Sequence, residues 1–341
     1  MPELRKDPVD GRWVIIATER ARRPGNVVES VDDSLEEDQQ QCPFCHIDEP
    51  PIYSAQVPDT KSNGSLWDVR VIPFRKSFLT TQKKSLREKH GLYDVINSFG
   101  THEVVIESPQ HTANMADLDV KNIRLVIETY ALRIKELERN PQFQYVLAYK
   151  NYGPTAGSRN IGHARSHIVA TPNHPLRVKE KLAGAKEYFD KHKRCIYCDL
   201  INQELKDQER IVVETEHFLA VIPFAARFLF EVWILPKRHH CDFAKGVSGY
   251  EGDLAKMLKI LLQKMKIGLD NRSYNYVIQT APFIRPDGDS KKWQTIKDDY
   301  HWHIEVLPHL TRVAGFEKGT GFHICSIPPE QMAAYLKEIE T

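Results

Sequence analysis

Short runs rich in β-branched and aromatic residues recur along the chain, and Pro, Gly or Asn residues bound them, which predicts β-strands. Two longer stretches, Met115 to Asn140 and Tyr250 to Asp270, carry apolar residues at spacings of three and four and predict amphipathic helices. Each half of the chain then runs strand, strand, helix, strand. This order predicts an α+β fold in which an antiparallel sheet has helices packed on one side.

An internal repeat underlies this pattern of elements. The tetrapeptide Val-Ile-Pro-Phe occurs at 71–74, which is 29 positions after the start of a Cys-x-x-Cys at 42–45. It occurs again at 221–224, which is 26 positions after the start of a second Cys-x-x-Cys at 195–198. The same structural unit is therefore encoded twice.

The repeat continues to the end of each half. The strand-like sequence 103–111 aligns without a gap with 231–239, and both segments end at a histidine. Each half then closes on a His-rich strand, which begins at His163 in the first copy and at His301 in the second. The repeat predicts two tandem domains, each with an antiparallel sheet and its own metal site, at residues 1–172 and 173–341.

The charge balance excludes some classes of partner. The 47 basic and 46 acidic residues give a formal charge of +1, so the chain has no overall field that would attract nucleic acid or a membrane surface. The first residues are charged, and no run of about 18 apolar residues occurs. We therefore expect a cytoplasmic protein without a nucleic-acid partner or a membrane-spanning segment.

The cysteines indicate metal binding. Four of the six form the two Cys-x-x-Cys pairs, which is too sparse for a disulfide scaffold. A thioredoxin-like redox pair is the alternative, but it would open a helix after a strand, whereas the first pair follows a glutamine-rich stretch. Zinc favours four tetrahedral Cys and His ligands. The predicted ligands are Cys42, Cys45, His111 and His163 in the first copy and Cys195, Cys198, His239 and His301 in the second.

A closed set of two cysteines and two histidines leaves no coordination position for a substrate. Both predicted zinc ions therefore have a structural role, and iron in place of zinc at the second site stays open.

Further motifs lie outside the metal ligands: Arg12-Trp13-Val14, Ala21-Arg22-Arg23-Pro24, the loop 151–158, Tyr300 to Glu305, and Gly315 to Gly321. Together with the repeat, they resemble the galactose-1-phosphate uridylyltransferase family of the histidine-triad superfamily, in its ADP-glucose phosphorylase-like branch. The resemblance implies two histidine-triad-like domains and a homodimer. It also implies nucleotidyl transfer between nucleoside diphosphate sugars and sugar 1-phosphates, in which a histidine attacks the α-phosphorus and holds the nucleotide covalently.

The glycines and small residues of 153–158 would allow backbone N–H groups to approach a phosphate closely. The resemblance assigns substrate binding to this loop and to charged or aromatic residues elsewhere. The predicted substrate-binding residues are Arg22, Arg23, Asn151, Gly157, Ser158, Phe316, Glu317 and Lys318.

The chain departs from the family at the nucleophile. The family reads His-x-His-x-Gln on this strand, whereas Arg165 holds the nucleophile position here and His167 holds the Gln position. An Arg guanidinium stays protonated and cannot attack phosphorus, although it can bind a phosphate through two hydrogen bonds. Phe74 also replaces an Asn that contacts the nucleotide in family members.

Three interpretations stay open. His167 lies two residues beyond Arg165 on the same face of a strand, and it could replace the nucleophile or act as a general base. His303 occupies the equivalent position in the second copy and is the second candidate. In the third interpretation, Arg165 has converted the site into a catalytically silent binding site for nucleotides or sugar phosphates.

Overall fold

The computed structural model describes residues 2–19, 39–40, 42–47, 49–56, 67–75, 77–81, 86–111, 114–158, 162–285 and 293–341. The strands are β1 (Glu3–Lys6), β2 (Trp13–Ile16), β3 (Tyr53–Ala55), β4 (Val69–Pro73), β5 (Arg87–His90), β6 (Tyr93–Ile96), β7 (Thr101–Ile106), β8 (Tyr145–Tyr152), β9 (Arg165–Thr171), β10 (Ile211–Glu214), β11 (Phe218–Val221), β12 (Val232–Pro236), β13 (Tyr274–Gln279), β14 (His303–Pro308) and β15 (His323–Cys325). The helices are α1 (Val120–Glu138), α2 (Leu176–His192), α3 (Ile196–Asp207), α4 (Phe243–Gly246), α5 (Glu251–Gly268), α6 (Ile296–Asp299), α7 (Gly315–Thr320) and α8 (Pro329–Glu338).

Ten strands of the described residues form one sheet, in the order β10-β11-β12-β14-β13-β8-β9-β7-β4-β3. Every neighbouring pair in it is antiparallel. The order is symmetric about the β13–β8 junction, where Tyr274 lies opposite Tyr152, so the two copies of the repeat meet edge to edge. The predicted α+β class is confirmed, and the two expected sheets are halves of one continuous sheet.

The two long helices bury the same face of this sheet. Leu258 and Leu262 of α5 and Tyr130 of α1 belong to one core cluster with Tyr276 and Ile278 of β13. Because side chains alternate along a strand, the neighbouring positions of β13 point to the opposite face. The predicted amphipathic helices therefore lie where expected, within one to five residues of their predicted ends.

The opposite face is covered unequally. Over the second half, α2 and α3 pack on Trp233 and Leu235 of β12 through residues such as Leu182 and Tyr197. Over the first half, the hydrophobic cluster among the described residues is a small one around Phe44 and the Cys42 to Cys45 turn (Cys42, Phe44, Ile72, Val104, Ile106). The first half of this face thus lacks an equivalent of the α2–α3 layer among the described residues.

The chain termini associate with each other. Strand β2 pairs with β1 and, in parallel, with β15, and Arg5 donates to both carboxylate oxygens of Glu330 at 2.8 and 3.1 Å. Helix α2 connects the halves at the predicted boundary, and the limits 1–172 and 173–341 stay a prediction. No helix of the described residues is both long enough and apolar enough to span a membrane.

Candidate functional site

The predicted ligands of the first metal site come together. Cys42 and Cys45 lie on a turn, His111 follows β7, and His163 precedes β9. The Sγ atom of Cys45 lies 3.4 Å from Nδ1 of His111 and 3.5 Å from Nδ1 of His163, and Cys42 Sγ lies 3.6 Å from the same His163 nitrogen. Four potential ligand atoms from four distant segments therefore face one point.

The second predicted set forms an equivalent cluster. Cys195 is the N-cap of α3, and Cys198 lies in its first turn. Cys198 Sγ lies 3.4 Å from His239 Nδ1 and 3.6 Å from His301 Nδ1. This pair does open a helix, as a redox pair would, but the two facing imidazoles make it a donor set for a metal.

Both clusters fit a tetrahedral ion. With zinc–sulfur and zinc–nitrogen bonds of about 2.3 and 2.1 Å, tetrahedral angles place sulfur and nitrogen about 3.6 Å apart. The observed separations are 3.4–3.6 Å, and the ligand atoms of each set all lie within 4.8 Å of one another. The two clusters can therefore hold metal ions.

Hydrogen bonds at the outer ring nitrogens fix the orientation of three of these histidines. His163 Nε2 lies 2.8 Å from the carbonyl oxygen of Ser108, and His301 Nε2 lies 2.8 Å from that of Pro236. His239 Nε2 lies 2.9 Å from the Lys297 carbonyl. Because a carbonyl only accepts, each Nε2 carries the proton and each Nδ1 presents its lone pair to the sulfurs.

Arg165 and His167 project from the face of β9 that also carries the small cluster around Phe44. His167 lies directly opposite Val104 of β7, and directly opposed residues of paired strands share a face. Val104 belongs to the small cluster of the first half, so both residues lie on the same side as that cluster. The sequence-based expectation that Arg165 and His167 share a face is met.

The Arg165 guanidinium connects the first metal site to the loop 153–158. It donates to the carbonyl oxygen of Ser158 and, at 3.1 Å, to that of His163, and it lies over the Phe44 ring at 5.2 Å. Burial lowers the pKa of Arg165 to about 10, so the side chain remains protonated at neutral pH. Arg165 is therefore a fixed positive charge and not a nucleophile.

His167 is paired with a second imidazole. Its Nδ1 lies 3.0 Å from Nε2 of His102, which is on β7. Tyr149 stacks on the His167 ring at a centroid distance of 5.2 Å, and Phe74 approaches the same ring edge-on at 5.8 Å. Burial lowers the pKa of His167 to about 3 and that of His102 to about 4, so both rings are neutral at pH 7.

The loop 153–158 has a backbone that only glycine adopts readily at two positions. Gly153 and Gly157 have φ of 81° and 90°. The N–H groups of Ala156 and Ser158 donate to the Gly153 carbonyl, so they hold the turn and do not face outward. The N–H group of Gly157 likewise donates to the Pro154 carbonyl, and the predicted contact of this loop with a phosphate stays a prediction.

Asn151 places its side-chain amide beside this loop. Its Oδ1 accepts a hydrogen bond from Asn275 Nδ2 at 2.7 Å, and Asn275 also donates to the Ala156 carbonyl at 3.0 Å. A Cβ atom at Gly157 would lie 3.6 Å from Asn151 Nδ2, so this amide group is adjacent to the glycine. Asn275 was not identified from the sequence, because its role depends on the pairing of β13 with β8.

His303 lies in the interior. Its Nε2 is 3.1 Å from Lys181 Nζ of α2, its Nδ1 is 3.0 Å from the His301 carbonyl, and Tyr197 of α3 packs on its ring at 4.9 Å. The residue is 0% exposed. Helices α2 and α3 thus fill the space in front of His303, and this position does not favour a nucleophile.

Three further predicted binding residues lie on α7. Phe316 and Lys318 are exposed, and Glu317 accepts hydrogen bonds from the N–H groups of Ala314 and Ile324.

Lys318 and Thr155 line a common cavity of about 620 Å³, which connects α7 with the loop 153–158. Three arginines also line this cavity: Arg177, Arg272 and Arg312. Arg22 and Arg23 lie outside the described residues.

Comparisons with known proteins match the whole chain. The family model described as the N-terminal domain of galactose-1-phosphate uridyl transferase matches residues 1–175, and the corresponding C-terminal model matches 181–335. ADP-glucose phosphorylase of Arabidopsis thaliana is 35% identical, over 99% of this chain and 93% of that protein. Galactose-1-phosphate uridylyltransferase of Thermotoga maritima is 26% identical, over 100% and 99%.

Solved structures show the same similarity. The Arabidopsis thaliana ADP-glucose phosphorylase with bound ADP-glucose has a TM-score of 0.78 and 33% identity, with all of both chains covered. A uridylyltransferase structure has a TM-score of 0.73 and 28% identity, over 99% of this chain and 97% of that one.

Proposed function

The chain belongs to the galactose-1-phosphate uridylyltransferase family, and on this premise we propose that it transfers nucleotidyl groups between nucleoside diphosphate sugars and hexose 1-phosphates. The reaction is either uridylyl transfer between UDP-glucose and galactose 1-phosphate or phosphorolysis of ADP-glucose. Relatives named for each of these two reaction types support the proposal, and one relative is described with bound ADP-glucose.

The single observation that carries the proposal is the position of His167. It lies on the same face of β9 as Arg165, two residues from that fixed charge, and its ring is neutral at pH 7. A neutral imidazole is a competent nucleophile, and a covalent intermediate divides one difficult transfer into two easier ones. We assign His167 as the residue that carries the nucleotide.

Arg165 has a supporting role in this proposal. Its guanidinium holds the Ser158 and His163 carbonyls together, which sets the distance between the loop 153–158 and the base of β9. The same charge stabilises negative charge that develops on the α-phosphate during transfer. Asn151 contributes an amide N–H to the substrate from the next strand.

Two structural metal ions belong to the proposal, and zinc is the ion that the donor atoms favour. Iron in place of zinc at the second site is the alternative that elemental analysis would test. Each ion would hold the start of a His-rich strand to the end of a neighbouring strand, and in the first copy this would fix His163, two residues before Arg165. The proposal also includes that the protein is a homodimer and that it acts in the cytoplasm.

A catalytically silent protein that binds nucleotides or sugar phosphates is the second candidate. It is favoured by one observation: Arg165 holds the position of the family nucleophile, while the His167 side chain is nine-tenths buried. Such a protein would bind nucleotides without turnover and without a covalent adduct.

Intact-protein mass spectrometry separates the two candidates. The protein is incubated with UDP-glucose or ADP-glucose and quenched at alkaline pH, which preserves a phosphorus–nitrogen bond. The intact mass is then measured for the wild type and for the His167→Asn and His303→Asn variants. We expect a UMP or AMP adduct on the wild type and on His303→Asn, and none on His167→Asn. Nucleotide binding without any adduct or turnover would refute the transferase proposal and support the catalytically silent binding protein.

A further inference from the structure

We propose that His102 is a positioning residue that holds His167 in the tautomer with its proton on Nδ1, which leaves the lone pair on Nε2 for the substrate. The inference rests on the proposed function, because it concerns the residue assigned there as nucleophile. It adds a role for a side chain on a different strand, which never touches the reacting atoms.

The contact between the two rings is specific. His102 Nε2 and His167 Nδ1 are 3.0 Å apart, and the ring centroids are 5.1 Å apart with an interplanar angle of 60°. The strand register produces this contact, since His102 lies opposite Val169, the next residue of β9 on the same face as His167. Within the described ranges, His167 has no other hydrogen bond to its ring.

A 3.0 Å contact between two neutral imidazoles requires one donor and one acceptor. Either His167 donates from Nδ1 and keeps a free lone pair on Nε2, or His102 donates from Nε2 and the proton of His167 lies on Nε2. Only the first arrangement leaves a nucleophilic nitrogen directed away from His102. The choice of tautomer therefore decides whether His167 can react.

The surroundings of His102 favour the first arrangement. His102 Nδ1 is buried and has no hydrogen-bond partner among the described residues. Phe74 and Phe78 pack against the His102 ring at centroid distances of 4.5 and 5.4 Å. A buried lone pair on this nitrogen would meet no donor among the described residues, whereas a buried N–H can still interact favourably with neighbouring aromatic rings. With its proton on Nδ1, His102 presents Nε2 as the acceptor for His167.

The pair also suits the transfer step. The lone pair on His167 Nε2 forms a bond to the α-phosphorus, and the bond from that phosphorus to the bridging oxygen breaks with its electrons on the leaving sugar 1-phosphate. The His167 ring then carries a positive charge, which the hydrogen bond from Nδ1–H to His102 disperses. An oxygen of the acceptor phosphate attacks next, the N–P bond breaks, and its electron pair returns to Nε2. The proton on Nδ1 stays in place throughout.

Two matched variants test the role of His102. His102→Phe keeps a ring beside Phe74 and Phe78 but removes the acceptor, whereas His102→Gln retains a carbonyl oxygen that can accept from His167. We expect nucleotidylation of His167 to slow by about 100-fold in His102→Phe, with the nucleotide Kd within about twofold of wild type. His102→Gln should recover most of the rate. Metal content and melting temperature of each variant show whether the fold is retained.

The tautomer itself is determined by NMR spectroscopy, without any turnover. In wild type labelled with ¹⁵N-histidine, and assigned by comparison with His167→Asn, we expect the His167 proton on Nδ1, and in His102→Phe we expect it on Nε2. A wild-type proton on Nε2, or an unchanged rate in His102→Phe, would overturn the positioning role. If wild type shows the Nδ1 proton but forms no adduct, the transferase proposal fails while the positioning of His167 by His102 stands.

Discussion

Lys150 donates a hydrogen bond of 2.6 Å to Glu107 in the protein interior, and the same ammonium donates at 2.9 Å to the carbonyl oxygen of Arg165. Both side chains of the ion pair are almost completely buried. The pair therefore anchors the first residue of β9 from the core side, opposite the face that carries His167.

Removal of one partner of this ion pair should destabilise the protein strongly. Lys150→Met leaves Glu107 buried without its counter-charge, and we expect the free energy of unfolding to fall by about 3–5 kcal/mol. Urea unfolding measures the change. In the double variant Lys150→Met/Glu107→Gln, most of the loss should be recovered, because no uncompensated charge remains. A loss in the double variant equal to that in Lys150→Met would contradict the ion-pair explanation.

Metal content should respond to each cluster separately. Cys42→Ala and Cys195→Ala should each lose about one metal equivalent per chain and melt at a lower temperature, because ion binding contributes to folding. Elemental analysis by mass spectrometry gives the content and identifies zinc or iron. Cys241→Ala is the control, since this buried cysteine lies outside both clusters. Unchanged metal content in both ligand variants would refute the assignment.

Arg165 should affect nucleotide binding through its charge and its two carbonyl contacts. Arg165→Met removes both, and we expect the Kd for a nucleoside diphosphate sugar to rise about 10- to 100-fold, which corresponds to about 1.4–2.8 kcal/mol. Arg165→Lys keeps the charge without the planar fork and should lie between wild type and Arg165→Met. Isothermal titration calorimetry measures all three proteins, and equal affinities would show that the charge does not reach the substrate.

Acid should destabilise the protein through the imidazole pair. The pKa values of His167 and His102 are lowered to about 3 and 4 in the folded state, whereas an unfolded histidine titrates near 6.5. The unfolded state therefore binds more protons below pH 6.5, and this contribution to stability is lost as pH falls from about 6.5 towards 4. At pH 5 the loss for His167 is about 2 kcal/mol, and solvent screening makes the loss for His102 smaller.

His102→Phe isolates one member of the pair. Its free energy of unfolding should decrease less steeply between pH 6.5 and 5 than that of wild type. The difference between the two slopes should correspond to about one bound proton. Urea unfolding at several pH values gives both slopes, with pH 8 as the reference. Parallel curves would mean that His102 is not buried as a neutral ring.

The loop glycine at 153 should tolerate no side chain. A Cβ atom there would lie 2.0 Å from Ser273 Oγ, and φ is 81°. Gly153→Ala should therefore cost more than the roughly 1–2 kcal/mol of backbone strain alone. Gly249→Ala is the matched control, with φ of 88° and no atom within 4 Å of the added Cβ. Thermal unfolding compares them, and equal losses would show that the contact with Ser273 relaxes freely.

The sequence alone determined the features that are local or that repeat. The periodicity of apolar residues predicted α1 and α5, and the duplicated spacing of Cys and His predicted two equivalent donor sets. The His-x-Arg departure at Arg165 was also visible in the sequence. These features depend on residue type and spacing, which do not change when the chain folds.

Only the tertiary structure decided what separates the two copies. Pairing of β8 with β13 joined the copies into one sheet, and packing of α2 and α3 buried His303 while the equivalent face around His167 has no such layer among the described residues. The contact of His102 with His167 arises from the register of β7 on β9. Register and layer packing depend on contacts between residues far apart in the chain, so two nearly identical sequence patterns acquired different surroundings.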